Sequence, residues 1–339
     1  MAKTRRQLGL FDDDVGIAAA PASRQQRVGP ALGGPLANVV LPAHVRAGTS
    51  SWSFAGWSGL VYDAPYPSAR LARDGLEAYA AHPLFRAVGL DRGFYRSIPT
   101  DAFEHLAAQV PDDFRFLVKA HRDCTSVFHT APEDRRRRVK NERFLDATYA
   151  AECVVAPAAT GLGEKLGVVL FQFPPQPWFD GAGAARLVER IAAFLDGLPR
   201  GVPYAVEVRN DGVLGPRYAE TLANAGARHC FSLHPTLRSP SAQRRALGGI
   251  EIPGGRVVRW MLGHGQAYAA AKARYEPFDR LVDEDPEGRR EIRELLEGPA
   301  GGLLIVNNKA EGSAPRSIAA LARAMLDHAA GDAGARKDV

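Results

Sequence analysis

From about residue 45 onward, short apolar runs alternate with longer segments whose apolar residues recur at helical spacing. The clearest apolar run is LGVVLFQF at residues 166–173, which stops at two prolines. A continuous apolar run of this length predicts a strand that is buried on both faces, as in a parallel sheet. Seven further runs have strand character, at residues 45–48, 85–90, 114–120, 204–209, 227–234, 256–262 and 302–306.

Eight strands that alternate with helical segments predict an α/β fold of the TIM type, a (β/α)8 barrel. One misassigned strand would instead suggest a doubly wound open sheet, which is therefore the alternative. The 339-residue length suits one barrel with extensions. We expect the barrel to cover residues 45–330 and residues 331–339 to fray.

Two predicted helices carry recognisable start signals. Ser68 is a candidate N-cap for a helix over residues 68–82. The sequence from Thr130 to Glu133 matches the S/T-x-x-E capping box, which predicts a helix that carries Arg135–Arg138 and Lys140. Four successive arginines indicate either a solvated helix face or an anion-binding ridge beside the site.

Residues 1–44 are rich in Ala, Gly, Pro and Arg and show no sustained period, which predicts a disordered tail. Within it, residues 7–11 read QLGLF, an apolar island that can dock into a groove on a partner. This island resembles the QLxLF peptide by which bacterial replication and repair proteins bind the DNA sliding clamp. The alternative is a chance match, or a segment that folds back onto the domain. The residues that carry the resemblance are Gln7, Leu8, Leu10 and Phe11.

Charge and cysteine content narrow the class of protein. The net charge of +5 and the pI of about 9.2 permit an anionic partner such as nucleic acid or a phosphorylated small molecule. The three cysteines form no CxxC pair, which argues against a disulfide framework and for a reducing cytoplasm. No apolar run approaches the roughly 20 residues that span a bilayer, and the N-terminus lacks a long apolar signal region. We therefore expect a cytoplasmic protein without a membrane partner.

In such a barrel the site is built from the C-terminal ends of the strands and the loops that follow them. Lys119 and Glu207 lie within strongly apolar strands, where a charge must be paired or must shift its pKa. Arg209 follows two residues after Glu207, and these three residues form the predicted catalytic group. Predicted substrate contacts at the strand ends are Trp57, Asp91, Tyr95, Gln172, Asn307, Asn308 and Lys309.

Several interpretations of these charges remain open. Lys119 and Glu207 can form a structural ion pair inside the barrel mouth. Alternatively, Glu207 acts as a general acid or base tuned by Lys119 or Arg209. A third interpretation makes Lys119 an imine-forming amine, although nothing nearby favours it.

A metal site is a further hypothesis. Histidines at strand ends, with Glu207 and Asp91, would offer nitrogen and oxygen ligands suited to Zn²⁺ or Mn²⁺, although no HxH or HxxxH spacing supports them. No nicotinamide or flavin cofactor is expected, because the GHG at residues 263–265 lacks the third glycine of a dinucleotide fingerprint. The candidate metal ligands are His121, His234 and His264.

Six motifs occur in order along the chain: GTSSWSFAGWSGLVY, FYRSIPT, FRFLVKAHRD, GVVLFQFPPQ, VEVRN and NNKAEGSAP. Together they resemble the YecE-like family, also called domain of unknown function seventy-two, from about Val45 to Asp327. The resemblance implies a TIM-type barrel and no established activity. Asp91 stands where that family usually has Asn, and Ser232 near the usual Asp of the sixth strand, which implies a divergent branch.

Two functional hypotheses follow. The first is a barrel enzyme of the hydrolase or lyase type that acts on a polar, anionic, sugar- or nucleotide-like substrate. The clamp-like peptide would link that enzyme to DNA processing. The second is a non-catalytic nucleic-acid or clamp-associated module that uses the arginine segment and the tail, with the barrel as a scaffold.

Overall fold

Eight parallel strands close into a barrel, which confirms the predicted TIM-type fold. The computed structural model describes residues 27–131, 134, 136–250, 254–263, 266–297 and 300–335. The last barrel strand pairs with the first, from Val45 opposite Gly302 to Thr49 opposite Val306, and this pairing excludes an open sheet. In barrel order the strands are Val45–Thr49 (β1), Ala87–Leu90 (β2), Arg115–Lys119 (β3), Leu166–Phe173 (β6), Tyr204–Val208 (β7), Arg228–Leu233 (β8), Arg256–Trp260 (β9) and Gly302–Val306 (β10).

Helices connect the strands. The predicted helix over residues 68–82 is two helices that meet at Gly75, and its N-cap is Pro67 rather than Ser68. The final helix reaches Ala335, beyond the predicted end at residue 330. The helices are Ser68–Asp74 (α1), Leu76–Ala81 (α2), Thr100–Ala107 (α3), Arg122–Thr125 (α4), Ala147–Ala150 (α5), Ala156–Leu162 (α6), Ala182–Asp196 (α7), Pro216–Ala225 (α8), Pro240–Ala246 (α9), Tyr268–Tyr275 (α10), Pro286–Leu296 (α11) and Ala314–Ala335 (α12). Across the described residues, no helix has both the length and the apolar character needed to cross a membrane.

The predicted helix after Thr130 is a β-hairpin instead. Strands Phe128–Thr130 (β4) and Arg138–Lys140 (β5) pair in antiparallel fashion, with Phe128 opposite Lys140. The Ala131 N–H donates to the carbonyl of Arg137 at 2.9 Å and closes the turn. The capping box is a local signal of only four residues. In the hairpin, Phe128 instead packs against Trp178, with the ring centroids 5.3 Å apart, and such a tertiary contact can outweigh a local helix signal. Arg136, Arg137 and Arg138, the described part of the arginine run, therefore lie in this hairpin and not on a helix face.

Residues 27–44 differ from the predicted disordered tail, because they pack against the barrel. Val28, Leu36 and Leu41 are each at most 4% exposed and belong to the main apolar core. The Arg86 guanidinium donates to the carbonyls of Pro42 at 2.7 Å and Val45 at 2.6 Å, beside the start of β1. The part of the segment next to β1 thus lies at the N-terminal end of that strand, whereas Gly29 and Ala31 pair with Asp63 and Val61 in the loop that follows β1. Residues 1–26, including the QLGLF island, lie outside the described residues.

Two apolar layers hold the fold together. The larger lies between the outer face of the barrel and the helices. The smaller fills the inside of the barrel and consists of Ala87, Leu117, Val168, Leu170, Ala205, Cys230, Val257, Leu303 and Ile305. Because strand side chains alternate between the two faces, the residue two positions further along each strand also points inward, nearer the C-terminal end.

We expect Gly48→Ala to destabilise the protein by about 3 kcal/mol or more. A Cβ atom on Gly48 would lie 1.7 Å from the carbonyl oxygen of Ala87, a backbone atom that cannot rotate away. Gly33→Ala is the control, because a Cβ there meets nothing within 4 Å, and its effect should stay within about 0.5 kcal/mol. Urea unfolding measures both, and equal midpoints for the two variants would contradict the close packing of β1 on β2.

Candidate functional site

A polar layer lies above the apolar layer inside the barrel. Leu117, Leu170, Ala205 and Val257 belong to the inner apolar cluster. The residues two positions later on the same strands are all polar, and Gln172 and Glu207 are paired neighbours in the sheet. Strand alternation therefore directs these side chains into the C-terminal mouth, where TIM-type barrels build their sites. The polar layer consists of Lys119, Gln172, Glu207 and Arg259, with Asp91 directly after β2.

Glu207 is the fully buried centre of this layer. Its Oε2 accepts a hydrogen bond from Arg259 at 2.7 Å, and its Oε1 lies 2.5 Å from a guanidinium nitrogen of Arg209. The second terminal nitrogen of Arg259 lies 3.3 Å from Oδ1 of Asp91. Arg209 is 9% exposed and Arg259 is 1% exposed, so these pairs are largely shielded from solvent. The result is a continuous chain of alternating charges, from Arg209 through Glu207 and Arg259 to Asp91.

The two arginines hold Glu207 in its ionised form. Burial acts to raise the pKa of the carboxyl, but the charges of Arg209 and Arg259 outweigh burial and lower the pKa to about 2. A carboxylate with this pKa is a weak proton acceptor at neutral pH. The geometry therefore favours a structural and positioning role for Glu207 over the predicted role as general acid or base.

Lys119 does not form the predicted structural pair with Glu207, whose partners are the two arginines. Its ammonium instead lies over the ring of Phe94, 3.9 Å from the ring centroid. Burial lowers the pKa of Lys119 to about 8, although the nearby carboxylate of Asp91 opposes the shift. Because this pKa is close to physiological pH, Lys119 is the group of the polar layer best suited to give and take a proton.

A second lysine with a lowered pKa lies at the same mouth. The Lys309 ammonium is 4.3 Å from the ring centroid of Tyr268 and the residue is 3% exposed. Burial lowers its pKa to about 8, helped by the charge of Lys272 and opposed by Glu276 and Asp91. Asn307 supports this loop, since its Oδ1 accepts from the backbone N–H of Lys309 at 3.0 Å.

Tyrosines form the exposed part of the rim. Tyr95 is 54% exposed and Tyr268 is 46% exposed. Burial raises the pKa of Tyr268 to about 12, in the same direction as the charges of Tyr95 and Asp91. Flat rings beside a charged layer suit a ligand that combines a planar or sugar ring with an anionic group. Below the rim, the cations Lys119, Arg209, Arg259 and Lys309 outnumber the carboxylates Asp91 and Glu207.

Two predicted substrate contacts lie elsewhere. Trp57 is fully buried, with its ring centroid 4.8 Å from that of Phe54, so it is a core residue and not part of the rim. Asn308 is 2% exposed, and its Oδ1 accepts from the backbone N–H of Ala314 at 2.8 Å, at the start of α12. Both follow a barrel strand in sequence, but the local turn directs each side chain into the protein.

The candidate metal ligands are engaged in other contacts. His121 Nδ1 is 3.1 Å from the hydroxyl of Tyr149, and its Nε2 is 3.3 Å from the carbonyl of Tyr95. His234 Nδ1 is 2.9 Å from the hydroxyl of Thr236, and burial, aided by the charge of Arg209, lowers its pKa to about 4. His264 lies outside the described residues. Within the described part of the chain, no three His, Cys, Asp or Glu side chains are arranged to hold a metal ion, so the predicted ligand set is not assembled there.

Arg259 is the important residue that the sequence prediction missed. It lies two positions after Val257 in an apolar strand and is almost completely buried. The criterion that selected Lys119 and Glu207, a charge within an apolar strand, also applies to Arg259. Once the strand is recognised, the alternation of side chains along it predicts that Arg259 points into the barrel, as Val257 does.

The fold and the site together define a TIM-type barrel protein with a predominantly cationic C-terminal mouth. The chain belongs to the family described as "Protein of unknown function DUF72", which it matches over residues 46–337, so the predicted family is confirmed.

Solved structures of this family share the fold. The chain is similar to a DUF72 family protein from Enterococcus faecalis, with 18% identity and a TM-score of 0.53, over 84% of this chain and 95% of that one. It is also similar to a DUF72 family protein from Thermotoga maritima, with 20% identity and a TM-score of 0.53, over 84% of this chain and 99% of that one. At these identities the likeness concerns the fold alone. No curated protein matches the chain.

We expect Glu207→Gln to destabilise the protein by about 3–5 kcal/mol at pH 7, because it leaves the buried guanidinium of Arg209 without a counter-charge and Arg259 with Asp91 alone. Glu189→Gln is the matched control, since Glu189 is 58% exposed and pairs with Arg217 on the surface. It should cost about 0.5 kcal/mol or less. Urea unfolding measures both, and similar losses for the two variants would contradict a dependence on the buried pair.

The pH dependence gives a second readout of the same pair. The folded-state pKa of Glu207 is lowered to about 2, below the ordinary value of 4.5. Its contribution to stability is therefore present above pH 4.5 and is lost as the pH falls toward 2. The stability difference between wild type and Glu207→Gln should shrink over that window.

Proposed function

We propose that this protein is an enzyme of the hydrolase or lyase type that acts on a polar, anionic, sugar- or nucleotide-like substrate. Lys119 is its proton-transfer group. The observation that carries the proposal is the pKa of Lys119, about 8, beside Glu207 and Arg259, which both stay charged at neutral pH. Groups with separated pKa values in one site are the usual arrangement for acid–base chemistry.

The arginines and Lys309 supply the attraction for the anionic part of the substrate. Arg209 and Arg259 pair with Glu207 and Asp91, so the excess positive charge of the mouth is that of Lys119 and Lys309. Guanidinium groups bind phosphate and carboxylate through paired hydrogen bonds, and a site shielded from water strengthens each of these bonds. Glu207 acts as a positioning residue, because it holds both guanidinium groups at the mouth.

The protonation state of Lys119 sets the direction of proton transfer. Below pH 8 its ammonium can protonate a leaving oxygen, and above pH 8 the neutral amine can remove a proton from the substrate or from water. As the pH rises through 8, Lys119 and Lys309 both lose charge, so affinity for an anionic substrate should fall.

A separate observation favours the alternative, a non-catalytic nucleic-acid-binding module. Phe128 is 36% exposed and Trp178 is 41% exposed, and their rings pack edge to face at 5.3 Å. Lys140 lies opposite Phe128 in the hairpin, so it shares a face with the aromatic pair. Exposed aromatic rings beside positive charge suit single-stranded nucleic acid. Such binding would also bring an anionic substrate to an enzyme, so the decisive question is turnover.

Two substitutions of Lys119 separate an enzyme from a binding module. Lys119→Met removes both charge and proton transfer, whereas Lys119→Arg keeps the charge and cannot release its proton at neutral pH. With a panel of phosphorylated sugars, nucleotides and single-stranded oligonucleotides, mass spectrometry should show turnover that falls about 100-fold or more in both variants. Ligand binding should weaken in Lys119→Met and recover in Lys119→Arg.

The control for these variants is Arg200→Met, at an arginine whose side chain is 64% exposed in the loop between α7 and β7. It should leave turnover unchanged. Ligand binding that recovers in Lys119→Arg without any turnover in wild type would support the binding module. Turnover that survives in Lys119→Arg would remove Lys119 as the proton-transfer group.

The tail supplies a proposed cellular setting for the enzyme, DNA processing at the sliding clamp. The support is the QLGLF segment, whose residues lie outside the described part of the chain. Replacing Leu10 and Phe11 together with Ala should lower recovery of the clamp in a pulldown by about tenfold or more, because these side chains would fill an apolar groove. Replacing Val15 and Ile17 with Ala is the control. Equal recovery by both double variants would contradict the clamp proposal.

A further inference from the structure

A cavity of about 90 Å³ lies at the end of the barrel opposite the mouth. Arg228 and Arg256 are the first residues of β8 and β9, which places the cavity at the N-terminal ends of these strands. The segment that includes and follows α9 forms its outer wall. Its lining consists of Arg228, His229, Phe231, Arg244, Leu247, Gly249, Ile250, Gly255 and Arg256.

Three arginines line this small cavity. Among the described residues, no carboxylate forms an ion pair with Arg228, Arg244 or Arg256. Arg228 donates to the carbonyl of Gly167 at 2.9 Å, which fixes its position, and burial lowers the pKa of its guanidinium. The buried Arg259 of the mouth, by contrast, is paired with two carboxylates. Arg228 and Arg256 are half-buried and Arg244 is exposed, and an anion in the cavity would give all three cations a partner of opposite charge.

The histidine in the cavity wall does not compete for this role. His229 Nδ1 is 3.2 Å from the hydroxyl of Tyr218, and its Nε2 is 3.3 Å from Oε1 of Gln243. Burial lowers the pKa of His229 to about 4, so the ring is neutral at pH 7. His229 therefore lines the cavity as an uncharged side chain, and both of its ring nitrogens are already engaged in hydrogen bonds.

We propose that this cavity binds a phosphate dianion, either inorganic phosphate or the terminal phosphate of a phosphomonoester. The planar fork of each arginine matches two phosphate oxygens, and three arginines approach from β8, β9 and α9. The volume admits a few water-sized groups, which suits one tetrahedral oxyanion. A phosphodiester fits less well, because it has one negative charge and a substituent on each side. This site is separate from the barrel mouth and does not depend on the function proposed for it.

Isothermal titration of the full-length protein with inorganic phosphate tests the proposal. We expect a saturable site that Arg244→Ala weakens about tenfold or more, since it removes a charge-assisted contact. Arg244 is exposed, so this substitution should leave the fold intact. Arg245→Ala is the matched control on the same helix, because Arg245 is also exposed and does not line the cavity. It should change the affinity less than twofold.

Further protein variants and ligands in the same titration identify the anion and where it binds. Arg256→Ala should weaken binding as Arg244→Ala does, whereas Lys119→Met should leave this site unchanged. Dimethyl phosphate, a monoanionic diester, should bind at least tenfold more weakly than inorganic phosphate. Glycerol 3-phosphate tests the other source, and tighter binding than inorganic phosphate would identify a phosphomonoester as the natural ligand.

Three results would overturn the proposal. They are the absence of saturable phosphate binding, equal affinities in Arg244→Ala and Arg245→Ala, and loss of the site in Lys119→Met, which would place the phosphate at the mouth.

Discussion

The buried carboxylate of Glu207 is the interaction on which the barrel mouth depends. It lies between the guanidinium groups of Arg209 and Arg259, and Arg259 also reaches Asp91. Charges at this depth are tolerated only as a mutually paired set, because each one taken alone would lose several kcal/mol of hydration. The pairing therefore explains how a barrel with an apolar interior can present an ordered polar layer at one end. It also fixes the positions of the arginines before any ligand arrives.

The same pairing separates the roles of the ionisable groups. Two arginines bring the pKa of Glu207 to about 2, whereas burial beside the Phe94 ring brings the pKa of Lys119 to about 8. One group is thus permanently charged and the other titrates near physiological pH. A site of this kind combines fixed electrostatics with one adjustable proton, which is the basis of the proposed acid–base chemistry.

Charge is distributed differently at the two ends of the barrel. At the C-terminal mouth, arginines and lysines surround two carboxylates, so the positive charge there is partly compensated. At the N-terminal end, Arg228, Arg244 and Arg256 line a cavity without an acidic partner among the described residues. Strand β9 connects the two ends, since it carries Arg256 at one and Arg259 at the other. The proposed chemistry and the proposed anion binding therefore lie at opposite ends of the barrel.

The sequence by itself determined the barrel, its eight strands and the positions of Lys119 and Glu207 on them, because apolar runs and the alternation of side chains along a strand are local properties of the chain. It also identified the family. Only the tertiary structure decided which partner each charge has, since Glu207 meets Arg259 across 52 residues of sequence and not the predicted Lys119. Likewise, local capping signals predicted a helix after Thr130, but the structure has a hairpin in which Phe128 packs against Trp178. Trp57 was predicted at the rim of the mouth, but packing buries it in the core. Such choices depend on contacts between distant segments, and no local pattern in the sequence records them.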